Sequence, residues 1–156
     1  MAARDGDGWV DCQCGSKHWG RYGAAGLLLV NQRRILLQLR APWVHNGDTW
    51  GIPGGARDSH ESAIEAALRE CREEVGLDHS KVEPRFSHID DHGSWSYETI
   101  VAQFREVDAR FVKNQETIDL SWVAIDEVAS VNLHPSFART WPEINARLRG
   151  VVDSIS

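Results

Sequence analysis

Residues 54–77 read GGARDSHESAIEAALRECREEVGL, and this stretch decides how the rest of the chain is arranged. Ile64, Ala67, Leu68, Cys71 and Val75 recur at helical spacing and form one apolar stripe. The segment therefore predicts an amphipathic helix that buries this face. Asp58 followed three residues later by Glu61 reads as a capping box, and Gly76 as the C-terminal cap. Glu70, Glu73 and Glu74 lie together beside the stripe, because positions three and four apart are neighbours on a helix. Three adjacent carboxylates repel one another and weaken a bare helix. A divalent cation reverses that balance, since hard ions such as magnesium prefer carboxylate and carbonyl oxygens. Arg69, four residues from both Glu65 and Glu73, can pair with and orient a carboxylate. Cys71 lies on the stripe and reads as core rather than as a nucleophile.

Upstream, residues 22–30 form an apolar run consistent with a buried strand. Asn31-Gln32-Arg33 is a polar turn and residues 34–40 (RILLQLR) a second strand, so a hairpin is expected. The loop-like segment 41–53 places Trp43, His45 and Trp50 just before the two glycines, and loops of this kind carry function. Downstream, residues 82–91 and 95–107 read as strands around an Asp-Asp-His-Gly-Ser turn, and His88 and His92, which could be ligands or substrate contacts, read as solvated. Residues 108–116 read as a polar loop and 118–125 as a strand containing Trp122. Residues 126–129 read as a short helical turn, and Pro135 opens a final amphipathic helix. Near the start, Cys12, Cys14 and His18 stand close together. A structural zinc site wants four ligands and no second cysteine pair exists, so this segment reads as a loop and short strand leading into the fold.

At 156 residues the chain fits a single domain, 1–156, with residues 1–8 as a mobile tail. A net charge of −6 argues against a sequence-independent binder of nucleic-acid polymers, which needs clustered Lys and Arg. An acidic protein handling phosphate would need metal ions to bridge the repulsion. No apolar run is long enough to span a bilayer and no signal core is present, so no membrane association is expected. Three cysteines give no disulfide framework, and a reduced, cytoplasmic setting is the default.

Gly55, Glu61, Arg69-Glu70-Cys71, Glu73-Glu74 and Gly76-Leu77, at this spacing, resemble the Nudix box of the Nudix hydrolase (MutT-like) family. Every charged and glycine position is filled, and Cys71 stands where an aliphatic residue is usual. The resemblance implies an α/β fold, an α/β/α sandwich with a mixed sheet and a loop–helix–loop catalytic element. It also implies metal-dependent hydrolysis of a nucleoside diphosphate linked to another moiety, with magnesium or manganese as cofactor. Glu73 and Glu74 would be metal ligands, Glu70 a ligand or water-orienting group, and Arg69 the residue that holds the carboxylates. The Gly54 carbonyl would be a backbone ligand. Glu116, six residues before Trp122, would join the metal or act as base, so that Glu70 and Glu116 both stand as candidate bases.

The substrate is less constrained. Trp43, Trp95 and Tyr97 could stack a nucleobase. The proline that accompanies ADP-ribose hydrolysis in the family is absent, the region reading His88-Ile89-Asp90-Asp91-His92, and Tyr97 is an imperfect match for the tyrosine of dinucleoside-polyphosphate hydrolases. The balance favours a MutT-like nucleoside triphosphate pyrophosphohydrolase. A hydrolase of a nucleotide sugar or dinucleoside polyphosphate, and a non-catalytic nucleotide-sensing module, are the alternatives. The partner expected is a small nucleoside diphosphate derivative, and a homodimer stays open.

Overall fold

The structure, a computed structural model, describes residues 5–105 and 111–155. The chain begins with a hairpin of β1 (Trp9–Asp11) and β2 (Lys17–Trp19), in which Trp9 and Trp19 stand directly opposite and pack edge to face at 5.1 Å. Residues 5–8 are not a tail: the Gly6 N–H donates to Asp58 Oδ1 at 2.9 Å, the Ser59 N–H donates to Asp5 at 2.8 Å, and the Gly6 carbonyl accepts from Arg21. These polar anchors were invisible in a small, charged, Gly-rich segment. Residues 1–4 of that expectation lie outside the described residues.

Next come β3 (Ala24–Asn31) and β4 (Arg34–Arg40), joined by a two-residue turn in which Gln32 and Arg33 have φ of 52° and 60°. That left-handed pair is the turn geometry whose twist matches flanking antiparallel strands. The two strands pair only at the turn, through Val30↔Ile35 and Asn31↔Arg34, and then part. The gap is filled by β5 (Trp50–Gly51), paired to β4, and β6 (Gly54–Ala56), paired to β3. The two box glycines thus sit inside the sheet.

Helix α1 (Ala63–Val75) follows. Its capping box is not Asp58 with Glu61 but Ser62 with Glu65, four residues later: each side chain accepts from the other's backbone N–H, at 3.2 and 2.9 Å. Asp58 and Glu61 instead close the preceding turn, the Asp58 N–H donating to Glu61 Oε1 at 3.0 Å. Gly76 ends the helix at φ 73°, as a left-handed cap that other residues adopt at a cost. A 3-10 turn (His79–Lys81), β7 (Val82–Asp91), β8 (Ser96–Phe104), β9 (Thr117–Ala124), a second 3-10 turn (Ile125–Ser130) and α2 (Pro135–Ile155) complete the chain. Residues 106 and 107 of the expected strand, and 108–110 of the expected polar loop, lie outside the described residues.

Among the described residues seven strands form one mixed sheet: β5, β4, β3, β8 and β7 in order, with β6 on β3 and β9 on β4. Only β3 and β8 run parallel, so the sheet is mixed as expected. Strand alternation divides the core. Ala25, Leu27, Leu29 and Leu36 face α1 with Ala66, Ala67, Cys71 and Val75. Leu28, Val30, Ile35 and Leu37 face α2 with Phe137, Trp141, Ile144 and Leu148. Each of these fully buried leucines contributes about 1.5–3 kcal/mol by leaving water. Helices on both faces make the α/β/α sandwich. No helix among the described residues is long and apolar enough to cross a membrane.

Candidate active site

The apolar stripe docks α1 on the sheet, and docking sets Glu70 against Gly55 of β6 and Glu74 between β6 and β4, while Glu73 stays exposed on the helix. Arg69 is the hub. Its Nε and Nη2 donate to the two oxygens of Glu61 at 2.6 and 2.9 Å, a bidentate pair, and Nη2 also donates to the Ala56 carbonyl at 3.0 Å. Nη1 reaches Glu70 Oε1 at 2.9 Å and Glu73 Oε2 at 3.4 Å. The spacing that suggested Glu65 as a partner is not used, because Glu65 is occupied by the cap at Ser62. Glu61 takes that place. It was read as part of a cap, although its fixed position in the box was the signal for its role. The Arg69 hydrogen bonds hold the Glu61 carboxyl below the usual range, and Glu61 and Glu70 keep the guanidinium charged despite its burial.

Glu74 is held differently. The Gly54 N–H donates to its Oε2 at 2.9 Å and Gln38 Nε2 to its Oε1 at 3.3 Å. Gln38 is buried on the α1 face of β4, and its own Oε1 accepts from the Thr117 hydroxyl at 3.2 Å. No sequence signal marked Gln38 or Thr117, since a polar residue in an apolar strand has no motif. Burial first, and the Glu70 charge second, push the Glu74 carboxyl up to about 8. Burial and then Glu74 likewise raise the Cys71 thiol, which sits fully buried against the sheet as core.

The glycines are required by close approach. A Cβ on Gly55 would stand 2.6–2.8 Å from the Glu70 carboxylate, and one on Gly54 would stand 2.7 Å from both the Tyr97 hydroxyl and Gly26 Cα. Only bare backbone lets the carboxylates lie this near the sheet.

Of the nine residues singled out from sequence, Gly54, Arg69, Glu70, Glu73, Glu74 and Tyr97 come together. Tyr97 is partly buried in β8, packed against the core, and its hydroxyl lies beside Gly54. Burial and then Glu74 raise its ionisation above the usual phenol value. Glu116 is exposed on the loop before β9, two residues past Asn114, whose N–H donates to the Glu74 carbonyl at 3.0 Å. Trp43 is 69% exposed in the 41–49 loop. Trp95 has one face covered by His18, stacked at 4.1 Å. His88 and His92 are not simply solvated: His92 Nε2 lies 2.9 Å from Asp90 Oδ2, and His88 is 3.6 Å from Glu143.

One guanidinium therefore binds three glutamates, Glu61, Glu70 and Glu73, while Glu74 is held by Gly54 and Gln38 and its carboxyl is raised by burial. The donor set, carboxylate oxygens on a partly open helix face, fits a hard divalent cation that would complete the charge balance. Such a group of residues can bind a metal-bridged phosphate chain and place a water against it.

Residues 20–143 match the model of the NUDIX domain. A Mycobacterium tuberculosis (strain CDC 1551 / Oshkosh) protein named "Putative 8-oxo-dGTP diphosphatase 3" is 47% identical over 151 residues, 90% of this chain and 69% of the relative. A Bifidobacterium longum protein named "Nucleoside triphosphate pyrophosphatase/Nudix hydrolase fusion protein" is 41% identical over 92% of this chain and 32% of its own length. Among solved structures, RenU, described as a Nudix hydrolase from M. smegmatis, superposes with a TM-score of 0.81 at 42% identity, covering 97% of this chain and 98% of that one.

Proposed function

The chain belongs to the NUDIX family, and on that premise we propose that it is a metal-dependent pyrophosphohydrolase of nucleoside triphosphates. An oxidised guanine nucleotide is the substrate class to which the name of the M. tuberculosis relative points. The observation that carries the reading is Glu74 held at Gly54 beside Glu70 and Glu73, which Arg69 binds on the same helix.

In this reading Glu70, Glu73, Glu74 and the Gly54 carbonyl hold magnesium, with manganese as a substitute. When bound, the ion supplies Lewis acidity to the phosphate oxygens and lowers the pKa of a bound water. Arg69, fixed by Glu61, keeps Glu70 and Glu73 in place. Glu70 or Glu116 takes the proton of the attacking water, and removing the true base costs about 10²–10⁴ in rate. Trp43 offers an open ring for the nucleobase, whereas Trp95 has one face left and Tyr97 presents its hydroxyl.

The protein incubated with magnesium and a panel of nucleoside triphosphates, 8-oxo-dGTP, dinucleoside polyphosphates and nucleotide sugars, with products followed by mass spectrometry, tests this. The expected outcome is conversion of triphosphates to monophosphate and pyrophosphate, 8-oxo-dGTP fastest. Turnover of no member, or full turnover by Glu74→Gln, rejects it. Comparing Glu70→Gln with Glu116→Gln identifies the base, and heavy-oxygen water shows which phosphorus is attacked.

A further inference from the structure

The amino-terminal hairpin carries a group of side chains that pyrophosphate chemistry does not use. Cys12, Cys14 and His18 each offer one ligand atom, and the three atoms lie within 4.8 Å of one another. The loop that brings them together is closed at both ends: the Cys12 N–H donates to the Ser16 carbonyl and the Gly15 N–H to the Cys12 carbonyl, both at 3.0 Å. Gly15, at φ 94°, supplies the left-handed residue this tight return needs. Cys14 Sγ and His18 Nε2 are already 3.2 Å apart. A tetrahedral zinc with sulfur at about 2.3 Å and nitrogen at about 2.0 Å holds its donors roughly 3.5–3.8 Å apart, so little movement separates this arrangement from a ligand set.

We propose that Cys12, Cys14 and His18 form a zinc site that closes the β1–β2 hairpin beside the β7–β8 turn, with water as the fourth ligand. Two thiolates and an imidazole are the donors a borderline-soft ion selects, and carboxylate-preferring magnesium does not compete for them. The turn supplies the surroundings of the site. The His18 ring stacks on Trp95 at 4.1 Å and 8°, which fixes the direction of Nε2, and it packs against the His92 ring at 4.6 Å. Across the site, His92 Nε2 lies 2.9 Å from Asp90 Oδ2, which leaves the turn ordered around the sulfurs.

The Cys12 thiol donates to the His92 carbonyl at 3.1 Å. Loading exchanges that proton, and the Cys14 proton, for the ion. Two protons go to solvent and two sulfur–zinc bonds form, as thiolate ligation requires. The paired-cysteine rule disfavoured zinc on sequence, because it counts four protein ligands. Three are sufficient where the fourth position faces water, as at the exposed Cys14.

The test uses the whole chain. Protein purified without chelators is analysed for metal by mass spectrometry, and chelator-stripped protein is titrated with Co²⁺, whose thiolate complexes absorb in the near ultraviolet and whose tetrahedral field gives strong visible bands. The proposal expects about one zinc per chain, a sulfur-to-cobalt band, and at least tenfold less bound metal in Cys14→Ser and in His18→Gln. Cys14 and His18 lie toward the surface, and thermal melts verify that the variants fold. Zinc below a tenth of an equivalent in the wild-type protein, a cobalt spectrum without the thiolate band, or unchanged loading in both folded variants overturns it.

Discussion

Glu61 shows how a residue can control a site it does not enter. It binds both donors on one edge of the Arg69 guanidinium, and Arg69 in turn orders Glu70 and Glu73. Glu61→Gln keeps the shape but loses the charge that fixes the guanidinium, and supporting groups of this kind are worth about 10–100-fold. We expect kcat to fall in that range with KM nearly constant, read by steady-state kinetics. Gly55→Ala pushes a methyl group into the Glu70 carboxylate, 2.6–2.8 Å away. The fold survives, by circular dichroism, but magnesium-dependent turnover drops at least tenfold. Glu74 gives a pH signature. Its carboxyl is raised from 4.5 to about 8 in the folded chain. Folding therefore retains a proton that the unfolded chain loses, and metal-free stability declines by a few kcal/mol at most as pH rises from about 4.5 to about 8. On the proposed ligation by Glu74, binding of a divalent ion expels the same proton, and we expect it to tighten across this window. Thermal melts with and without magnesium should diverge as pH rises, and Glu74→Gln should flatten both effects.

The elements show what could be read in advance. The end of α1, strands β3 and β4 and the β7 limits follow from periodicity and turn residues, and these observed boundaries fall within a residue or two of those expected. The start of α1 does not, because two Asp/Ser-to-Glu spacings occur in tandem and local pattern cannot choose between them. Tertiary contacts decide: Asp58 is drawn to Gly6 and Glu61 to Arg69, leaving Ser62 to cap. The three glutamates were legible through their spacing on one element. Gln38 and Thr117, from β4 and β9, were not, because their meeting depends on sheet register. The β3–β4 turn places two ordinary residues at positive φ. Arg33→Gly removes a strained side-chain conformation there, at the cost of extra freedom in the unfolded chain, and should stabilise by about 0.5–1 kcal/mol in urea unfolding.

At the scale of the molecule, the amino-terminal segment and the loop before the box helix are fastened together. The segment before the sheet is tied to the loop before the box helix through Gly6–Asp58 and Asp5–Ser59. Deleting residues 1–7 removes a donor from a nearly fully buried carboxylate, which costs about 1–3 kcal/mol. The truncated protein should melt earlier, by calorimetry, and should lose activity on warming before the full chain does. A tail without structure would leave both unchanged.

The parting of β3 and β4 has a mechanical consequence. One oxygen of Glu74 is gripped by Gly54, carried on β3 through β6, and the other by Gln38 of β4. The carboxylate spans the two strands as a caliper spans a gap. With Glu74 as the proposed ligand, a substitution that widens or narrows that gap, even a methyl group lost at Leu36 or Leu29 far from solvent, is expected to change ion affinity at the helix. In that reading, drift in the interior becomes tuning at the surface, and the sheet's spacing is a heritable dial on ion affinity.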